Sequence, residues 1–446
     1  MKHLLPHQIA DAAFLASRPF AGNFSGMGSG KTLTALEAAS MKVNAIGDKM
    51  IIIGPPISLS MWEEEAQNHL HLTTQIIRKG KEAIRPDCPI LIMSYEIATK
   101  RKDELKQLGA KVLICDESHA LKSTKAKRTK ALIGRRGLCE SVGWTWLLTG
   151  TPITAYNQDI FSFMCRAGAR QLKEKIGALT LERFRLRYCL TERKIFSKHQ
   201  TVPTIVTIGN RNTEELNKML FEGGLAVRRE LADVWSEMPP ITINHLQVKL
   251  DADTDLRASL RALEKQPMNQ IQQDLANNYE HLATIRRKLG VAKVKHSAAE
   301  IIDRVEAGIT PILVGCVHHD VIDSLRDELR ANGVAVQTID GRTPSAARQG
   351  RVAEFNKGDS LQVLIAQVQA AGVSLNLQGG SHIICVETTF SPAEQDQFYA
   401  RCHRLGQTNH VHVDVFEAPD NKLEKAVRRI LATKRAGQAK IMEQAS

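Results

Sequence analysis

The sequence predicts an α/β protein with two parallel-sheet lobes and helical protrusions inserted between the two groups of strands. Short, continuous apolar runs bounded by turn residues recur in two separate groups, as expected for strands that are covered on both faces. Between the groups, residues 160–305 carry apolar residues mostly at helical spacing. One large doubly wound sheet is disfavoured because this long helical stretch separates the strands.

The individual elements follow from these patterns in chain order. The first group predicts strands at Met50–Ile53, Ile90–Met93, Val112–Cys115 and Trp144–Leu148, with crossover helices at Thr32–Met41 and Leu59–Leu70. The stretch between the groups predicts helices at Leu256–Leu263 and Leu275–Val305. The second group predicts strands at Ile312–Val317, Val334–Ile339, Val363–Ile365, Ile383–Val386 and Val411–Phe416, with helices at Asp320–Arg330 and Ala346–Phe355.

The chain has 446 residues, a length that suggests roughly two or three domains. We expect a first lobe over residues 1–225, with a helical protrusion from about 160. A linker is expected over 226–250, where Met238-Pro239-Pro240 interrupts the pattern. The second lobe is expected over 251–430, with a helical protrusion at about 251–306, and a basic C-terminal helix over 431–446.

Composition narrows the classes of function. The net charge of +12 and the pI of about 9.3 favour a polyanionic partner. No apolar stretch approaches the length of a membrane span and the N-terminus lacks a secretory apolar region, so we expect a cytoplasmic protein without a membrane partner. Eight scattered cysteines without a Cys-x-x-Cys pair favour neither zinc nor a disulfide framework. Aromatic residues are only 5% of the chain, which gives little support to a channel that stacks unpaired bases.

A glycine-rich segment before the first predicted helix has the pattern of a phosphate-binding P-loop. Its residues are Ser25, Gly26, Met27, Gly28, Ser29, Gly30, Lys31 and Thr32. In such a loop backbone N–H groups surround the phosphates of ATP, the lysine reaches the β- and γ-phosphates, and the following hydroxyl binds Mg²⁺. The strict pattern has glycine where this chain has Ser25, and a flexible Gly-Ser loop is the alternative interpretation.

An acidic pair follows the predicted strand Val112–Cys115. An aspartate at the carboxyl end of a buried strand can hold Mg²⁺, and an adjacent glutamate can polarise the attacking water. Asp116 is therefore the expected second metal ligand beside Thr32, and Glu117 the expected catalytic base. A plain charged loop is the alternative, which the glycine-rich loop upstream disfavours.

These and further motifs resemble the Swi/Snf-type branch of helicase superfamily two, the ATP-driven translocases on double-stranded DNA. Gln8, in Leu5-Pro6-His7-Gln8, resembles the residue that reads adenine, and Asp116-Glu117-Ser118-His119 resembles the DEAH-like box. Leu148–Pro152 resembles the coupling motif, with Thr149 and Thr151, and His119 and Gln397 are expected to take part in coupling as well. Arg228-Arg229 with Pro239-Pro240 resembles the segment between the lobes.

In the second lobe the resemblance extends to Asp340-Gly341, to Ala371–Leu377 and to the segment from Gln397 to Gln407. It implies that Arg401 and Arg404, three residues apart on one helical face, are arginine fingers that join Lys31 and Glu117 in catalysis. Gly372 is implied as a nucleotide contact. DNA contacts are implied at Ser58, Ser94, Tyr95, Lys122, Ser374 and Asn376.

The resemblance implies two RecA-like lobes, ATP and Mg²⁺ as ligands, and a monomeric DNA-dependent ATPase that translocates along double-stranded DNA, including forked or branched DNA. Three alternatives stay open: a strand-separating helicase, a strand-annealing or fork-remodelling motor, and an ATP-gated DNA clamp. The sequence shows no reader module by pattern, so we expect a compact bacterial or viral form, located in a bacterial or infected cell; a eukaryotic form would be nuclear.

Three departures from the family pattern concern regulation and lobe closure. Ser25-Gly26 replace the usual acidic pair, Ser118 replaces the commoner alanine, and Tyr399-Ala400 replace acidic residues. None of them removes a group expected to touch phosphate, metal or water, so we expect catalysis to be retained.

Overall fold

The computed structural model describes residues 4–43, 45–195, 203–235, 238–276, 279–371, 375–404 and 406–442. The chain divides into two compact units. The first consists of Met1–Val234 with Ala436–Ser446, and the second of Trp235–Arg435. Each unit contains its own parallel sheet, so the α/β fold class predicted from the sequence is confirmed.

The first sheet has seven parallel strands in the order β3-β4-β2-β5-β6-β1-β9. The strands are β1 (Phe20–Asn23), β2 (Met50–Gly54), β3 (Thr74–Ile77), β4 (Ile90–Ser94), β5 (Val112–Cys115), β6 (Trp144–Leu148) and β9 (Ala226–Val227). The helices up to β6 are α1 (Pro6–Ala16), α2 (Lys31–Ser40), α3 (Leu59–Leu70), α4 (Tyr95–Lys100), α5 (Lys102–Gln107) and α6 (Lys127–Leu132), and Ser118–Leu121 forms a short 3₁₀ helix.

Strand β2 illustrates why continuous apolar runs form this sheet. Successive side chains of a strand point to opposite faces. Ile51 and Ile53 pack in one hydrophobic core, and Met50 and Ile52 pack in the other. Because helices cover both faces, every position of the strand is apolar, as the sequence pattern predicted.

The protrusion of the first unit contains an element that the helical spacing did not predict. Helices α7 (Phe161–Ala167), α8 (Ala169–Ile176), α9 (Leu181–Tyr188) and α10 (Thr213–Leu220) are present, as is a short helix α11 (Leu231–Val234). Between α9 and α10, however, β7 (Cys189–Lys194) and β8 (Thr204–Asn210) form an antiparallel pair. The β-branched residues of β8 favour a strand, so this pair of strands interrupts the mostly helical stretch that the sequence predicted.

The second sheet has six parallel strands in the order β10-β15-β14-β11-β13-β12. The strands are β10 (Ile241–Gln247), β11 (Ile312–Cys316), β12 (Val336–Ile339), β13 (Val363–Gln367), β14 (His382–Cys385) and β15 (Val411–Glu417). The helices are α12 (Thr254–Glu264), α13 (Met268–Ala276), α14 (Glu280–Glu306), α15 (His319–Ala331), α16 (Ser345–Lys357), α17 (Val368–Ala371), α18 (Pro392–Tyr399) and α19 (Lys422–Met442).

The expected linker over residues 226–250 is not a plain connection. β9 pairs with β1 of the first sheet, and β10 pairs with β15 of the second. Neither strand was predicted, because β9 has two residues and β10 is a mostly exposed edge strand without a buried run. Helix α19 also continues through residue 431, where a separate C-terminal helix was expected to begin. The other domain boundaries stay predictions.

Across the described ranges, the helices are all too short or too polar to cross a membrane.

Candidate nucleotide-binding site

The candidate site of the first unit lies at the carboxyl edge of its sheet. Strands β2, β5, β6 and β1 are neighbours and run parallel, so the segments that follow them meet at one edge. These segments are the glycine-rich loop after β1, the acidic pair after β5 and the coupling motif after β6. The sequence predictions therefore converge on one place in the fold.

Two glycines of the loop have a backbone that other residues rarely adopt. Gly28 has φ of 78° and Gly30 has φ of 81°, in the left-handed region that glycine enters without penalty. Gly30 is also the residue before the first turn of α2. A Cβ on Gly30 would lie 2.1 Å from Nε2 of Gln8, so the loop and the predicted adenine-reading residue are packed directly together.

Lys31 points its charge back into the loop. Its Nζ donates hydrogen bonds to the carbonyl oxygens of Ser25 and Gly26, each at 2.8 Å. The two carbonyl oxygens therefore hold the ammonium group of Lys31 inside the turn that the loop forms. A lysine in this position suits a ligand that carries negative charge into the same turn.

The back of the loop is held by a residue whose contact with the loop the sequence reasoning missed. Arg229 donates its backbone N–H to Oγ of Ser25 at 3.1 Å and accepts from the N–H of Gly26 at 2.7 Å. Its guanidinium pairs with the buried carboxylate of Asp11 at 3.1 Å. Ser25 therefore has a structural role as a hydroxyl acceptor, which accounts for one departure from the family pattern.

Asp116 is a partly buried carboxylate with two oriented donors. Nε1 of Trp62 donates to its Oδ2 at 2.8 Å, and the backbone N–H of Glu117 donates to its Oδ1 at 2.9 Å. Burial and the neighbouring charge of Glu117 raise the pKa of Asp116 to about 6, while Lys31 acts in the opposite direction. A carboxylate whose charge is disfavoured in this way gains most from a bound cation.

A chain of side chains leads from Glu117 to the coupling motif. Oε2 of Glu117 lies 3.2 Å from Nδ1 of His119, which lies 3.3 Å from Oγ1 of Thr149. That hydroxyl accepts a hydrogen bond from the backbone N–H of Thr151 at 3.1 Å. The roles of His119, Thr149 and Thr151 in coupling stay predictions.

The coupling motif also packs against the phosphate-loop candidate. A Cβ on Gly150 would lie 3.1 Å from Cγ of Met27. Such an approach leaves little room for either segment to move without the other. The loop around Met27 and residues 149–151 are therefore packed closely together.

The donor set fits ATP with Mg²⁺. Magnesium prefers oxygen ligands, and the first unit supplies a hydroxyl at Thr32 and a partly buried carboxylate at Asp116. The loop provides a glycine-rich turn packed against Gln8 and a lysine charge directed into it. These are the groups that the phosphates of a nucleotide require.

The second unit places Arg401 and Arg404 differently from the prediction. Helix α18 ends at Tyr399, so the two arginines lie in the turns that follow it and not on one helical face. After the helix, the carbonyl of Arg401 accepts a hydrogen bond from the N–H of Leu377 at 3.0 Å. Nη1 of Arg401 also donates to the carbonyl of Leu375 at 3.4 Å. Gln397 is buried on α18, and Gly372 lies outside the described residues.

The structure corrects two of the expected DNA contacts. Ser58 is 0% exposed and its hydroxyl donates to the carbonyl of Pro55 at 3.0 Å. Tyr95 is buried, and its hydroxyl donates to the carbonyl of Asp116 at 2.6 Å. Both residues therefore support the site from inside, and the prediction that they contact DNA was wrong.

The remaining expected DNA contacts stay predictions. Ser94 caps α4 by accepting from the N–H of Ile97 at 3.3 Å. Lys122 is exposed and donates to Oγ1 of Thr154 at 2.6 Å. Asn376 is exposed beside Gln378, and Ser374 lies outside the described residues.

Comparison with known families places this architecture. The SNF2-related domain matches residues 24–278, and the helicase conserved C-terminal domain matches residues 298–406. The first match covers more than half of the chain, so the chain belongs to the SNF2-related family. This confirms the resemblance drawn from the motifs.

Three similar proteins are animal proteins. The chain is 26% identical over 398 residues to the SWI/SNF-related matrix-associated actin-dependent regulator of chromatin subfamily A-like protein 1 homolog of Caenorhabditis elegans, covering 87% of this chain and 54% of that protein. It is 25% identical over 481 residues to human DNA repair and recombination protein RAD54B, covering 92% and 52%. It is 24% identical over 398 residues to human DNA annealing helicase and endonuclease ZRANB3, covering 87% and 35%. The chain thus spans about half the length, or less, of these relatives.

Among solved structures, the Sulfolobus solfataricus SWI2/SNF2 ATPase core in complex with dsDNA is 19% identical in sequence, with a TM-score of 0.43 and coverage of 97% of this chain and 92% of that chain.

Proposed function

We propose that this chain is a DNA-dependent ATPase that translocates along double-stranded DNA. The observation that carries the proposal is the meeting of a lysine-bearing phosphate loop and the Asp116–Glu117 pair at one sheet edge, in a chain of the SNF2-related family. A phosphate-binding loop alone would serve many nucleotide-binding proteins. The acidic pair beside it adds the groups needed for hydrolysis.

Each candidate site residue of the first unit has a defined role in this proposal. Lys31 and the N–H groups of the glycine-rich loop bind the phosphates, and Gln8 contacts the base. Thr32 and Asp116 would hold Mg²⁺, which neutralises charge that develops on the phosphates during hydrolysis. Glu117 orients the attacking water and accepts its proton. Trp62 fixes one oxygen of Asp116, so that the carboxylate keeps a single orientation.

Hydrolysis and movement are linked through both units in this proposal. Arg401 and Arg404 stabilise negative charge in the transition state, and Gln397 and Gly372 contribute on the same unit. His119, Thr149 and Thr151 relay the state of Glu117, since their side chains and backbone form a continuous chain from it. Alternating grips on the DNA by the two units then advance the motor.

The charge of the chain supports a duplex as the track. The net charge of +12 favours a phosphate backbone, and the scarcity of aromatic residues disfavours stacking on unpaired bases. Lys122, Ser94, Asn376 and Ser374 are the proposed contacts. The names of two relatives, a DNA repair and recombination protein and a DNA annealing helicase and endonuclease, agree with DNA as the substrate.

The decisive experiment compares ATP turnover with duplex, single-stranded and forked DNA at equal nucleotide concentration. We expect strong stimulation by duplex DNA and little by single strands. We also expect displacement of a third strand from a triplex without separation of the duplex beneath it. Stimulation by single strands alone, or unwinding of a blunt duplex, would contradict the proposal in favour of a strand-separating helicase.

The same DNA substrates distinguish two other candidate functions. Regression of a forked substrate together with poor triplex displacement would favour a strand-annealing or fork-remodelling motor, a class that the name of ZRANB3 brings into consideration. An ATP-gated clamp would hold duplex DNA in an ATP-dependent way with negligible steady-state turnover. Glu117, Arg401 and Arg404 are all present, which favours turnover over a clamp.

The oligomeric state, the preferred DNA structure and the metal ion also belong to this proposal. We propose a monomeric motor that acts on duplex DNA, including forked or branched DNA, and uses Mg²⁺ with ATP. The compact bacterial or viral form and the cytoplasmic location stay predictions, and the relatives named above are animal proteins.

A further inference from the structure

The connection between β14 and α18 leads from the second sheet to the segment that carries Arg401 and Arg404. β14 ends at Cys385 and α18 begins at Pro392, so residues 386–391 decide where α18 starts. Helix α18 has only eight residues and is therefore short enough for a displacement at its start to reach its end. The inference below rests on the proposed function and concerns this connection.

One face of α14 grips the connection at three positions. Arg286, Gly290 and Lys293 are spaced as i, i+4 and i+7 and so share a helical face. Nη2 of Arg286 donates to the carbonyl of Thr388 at 2.7 Å. The fully buried Nζ of Lys293 donates to the carbonyl of Val386. A Cβ on Gly290 would lie 2.5 Å from Oε1 of Glu387, so helix and connection are in contact along their length.

Arg286 makes a second contact that depends on its planar guanidinium. The guanidinium carbon lies 3.9 Å from the centroid of the Phe390 ring, within the range of a cation–π interaction. Burial lowers the pKa of Arg286, while Glu387 and Glu424 favour its charged form. A buried charge is costly unless its contacts are specific, and the two contacts of Arg286 both fall on the connection before α18.

Hydrogen bonds also attach the connection to α18. The backbone N–H of Thr389 donates to Oε1 of Gln395 at 3.3 Å, and Nε2 of Gln395 donates to the hydroxyl of Tyr399 at 2.7 Å. Tyr399 is the last residue of α18. A continuous path of hydrogen bonds therefore runs from the connection to the end of the helix, two residues before Arg401.

Helix α19 contributes a weaker hold from outside. Nζ of Lys434 donates to the carbonyl of Phe390 at 2.8 Å. Arg435 pairs with Asp396 of α18 at 2.5 Å, but the two side chains are 44% and 51% exposed, and exposed ion pairs contribute little. Lys293 and Glu387 hold the start of the connection, at Val386, Val317 and His318. Arg286 is the residue of α14 that holds the end nearest α18, at Thr388 and Phe390.

We propose that Arg286 is a positioning residue for ATP hydrolysis, acting through Thr388 and Phe390 to set the position of α18 and of the arginines that follow it. It does not touch the nucleotide. Its loss leaves the phosphate loop and the acidic pair of the first unit unchanged, and misplaces the groups that act in the transition state. The signature of such a role is a fall in kcat without a matching rise in KM for ATP.

The test uses Arg286→Ala in the full chain at saturating duplex DNA. We expect kcat to fall about 10- to 100-fold, the scale associated with small misplacements of catalytic groups, and KM for ATP to change less than about threefold. Arg286→Lys keeps a charge and a donor but loses the planar stack, and should recover only part of the loss. The matched control is Arg287→Ala on the same helix, whose side chain is 57% exposed and pairs with Asp320 at 3.3 Å.

A second variant covers the case in which Arg286→Ala fails to fold. Phe390→Leu keeps an apolar side chain but removes the ring under the guanidinium, and should lower kcat in the same way with a folded protein. Unchanged kcat in either folded variant overturns the proposal, as does full recovery by Arg286→Lys. A wild-type chain without DNA-stimulated turnover overturns the proposed function itself, and the positioning role with it. An active wild type with an equally active Arg286→Ala variant overturns the positioning role alone.

Discussion

At the residue scale, Glu117 stands out because its backbone is strained where chemistry is proposed. Its φ of 48° and ψ of 48° place a non-glycine residue in the left-handed region, which costs of order 1 kcal/mol or more. The neighbouring hydrogen bond from its own N–H to Oδ1 of Asp116 holds this turn. This left-handed turn directs the two neighbouring carboxylates toward different partners, Asp116 toward Trp62 and Glu117 toward His119.

That geometry predicts a division of labour between the two carboxylates. Glu117→Gln keeps the shape of the side chain and removes the base, so we expect ATP binding to persist while turnover falls by about 10²-fold or more. Asp116→Ala removes a proposed metal ligand and should weaken Mg²⁺-dependent ATP binding itself. Fluorescent nucleotide binding and steady-state turnover measure the two effects separately. Equal loss of binding in both variants would refute the assignment.

A second prediction at this scale concerns the charge in the loop. Lys31→Ala should abolish measurable ATP turnover and weaken nucleotide binding, because Lys31 supplies the side-chain charge directed into the loop. Circular dichroism should stay unchanged, since the ammonium group of Lys31 is directed at backbone carbonyls of the loop and Lys31 is not part of the hydrophobic cores. The control is Lys42→Ala, whose ammonium lies 4.7 Å from the Trp144 ring away from the loop. Normal turnover in Lys31→Ala would show that the loop is not the ATP site.

Residue identities were predictable where the chemistry is local in sequence. Lys31 with Thr32, and Asp116 with Glu117, are adjacent residues in recognisable patterns. The partners that orient them are distant: Trp62 lies 54 residues from Asp116, and Arg229 lies 204 residues from Ser25. No local pattern encodes such pairs, because they depend on how the strands order in the sheet.

At the element scale, the end of α18 shows how tertiary contacts override spacing. The three-residue spacing of Arg401 and Arg404 suggested a continued helix, but the helix ends at Tyr399. Tyr399 is buried and its hydroxyl accepts from Gln395. The tyrosine that departs from the family pattern therefore closes the helix against the core, and the backbone after it is free to pair with residue 377.

The protrusion of the first unit offers a prediction that depends on pH. Glu215 of α10 accepts from both Arg187 and Tyr188 of α9, at 2.5 and 2.6 Å from the closest nitrogen and the hydroxyl. Its hydrogen bond with Arg187 is the main favourable cause that holds the pKa of Glu215 at about 2 against the desolvation that opposes it. Because the folded pKa lies below the unfolded one, this stabilisation is present above pH 4.5 and is lost as the pH falls toward about 2.

We therefore expect Glu215→Gln to destabilise the protrusion by about 1–2 kcal/mol at neutral pH. Hydrogen exchange of α9 amides measures this local opening. The difference from wild type should shrink as the pH falls from 4.5 toward 2. Glu214→Gln, on the exposed side of the same helix, is the control and should exchange like wild type. A difference that grows on acidification would contradict the ion-pair account.

At the scale of the whole molecule, the two strand groups were predictable because buried parallel strands are written as continuous apolar runs. Exposed or very short strands carry no such signal, which is why β9, β10 and the β7–β8 pair were missed. The four-residue strands β1 and β3 of the first sheet were missed as well, because their sequences mix apolar residues with glycine or polar residues. The sequence thus predicts the strands that are continuous apolar runs and misses the short, mixed or exposed ones.

We expect each catalytic cycle to need Arg404 of the second unit as well as the nucleotide site of the first unit. Arg404→Ala should lower DNA-stimulated turnover by ~10³-fold or more, which is the range seen for arginine fingers. ATP affinity should change little, because the first unit binds the nucleotide in this proposal. Arg404 is the cleaner probe, because Arg401 is buried and bonds to Leu375, so its replacement also disturbs the local backbone. Arg330→Ala, exposed at the end of α15, serves as a control in the same unit. Turnover in Arg404→Ala equal to that of Arg330→Ala would mean that Arg404 is not an arginine finger, because a finger that stabilises the transition state cannot be removed without cost to kcat.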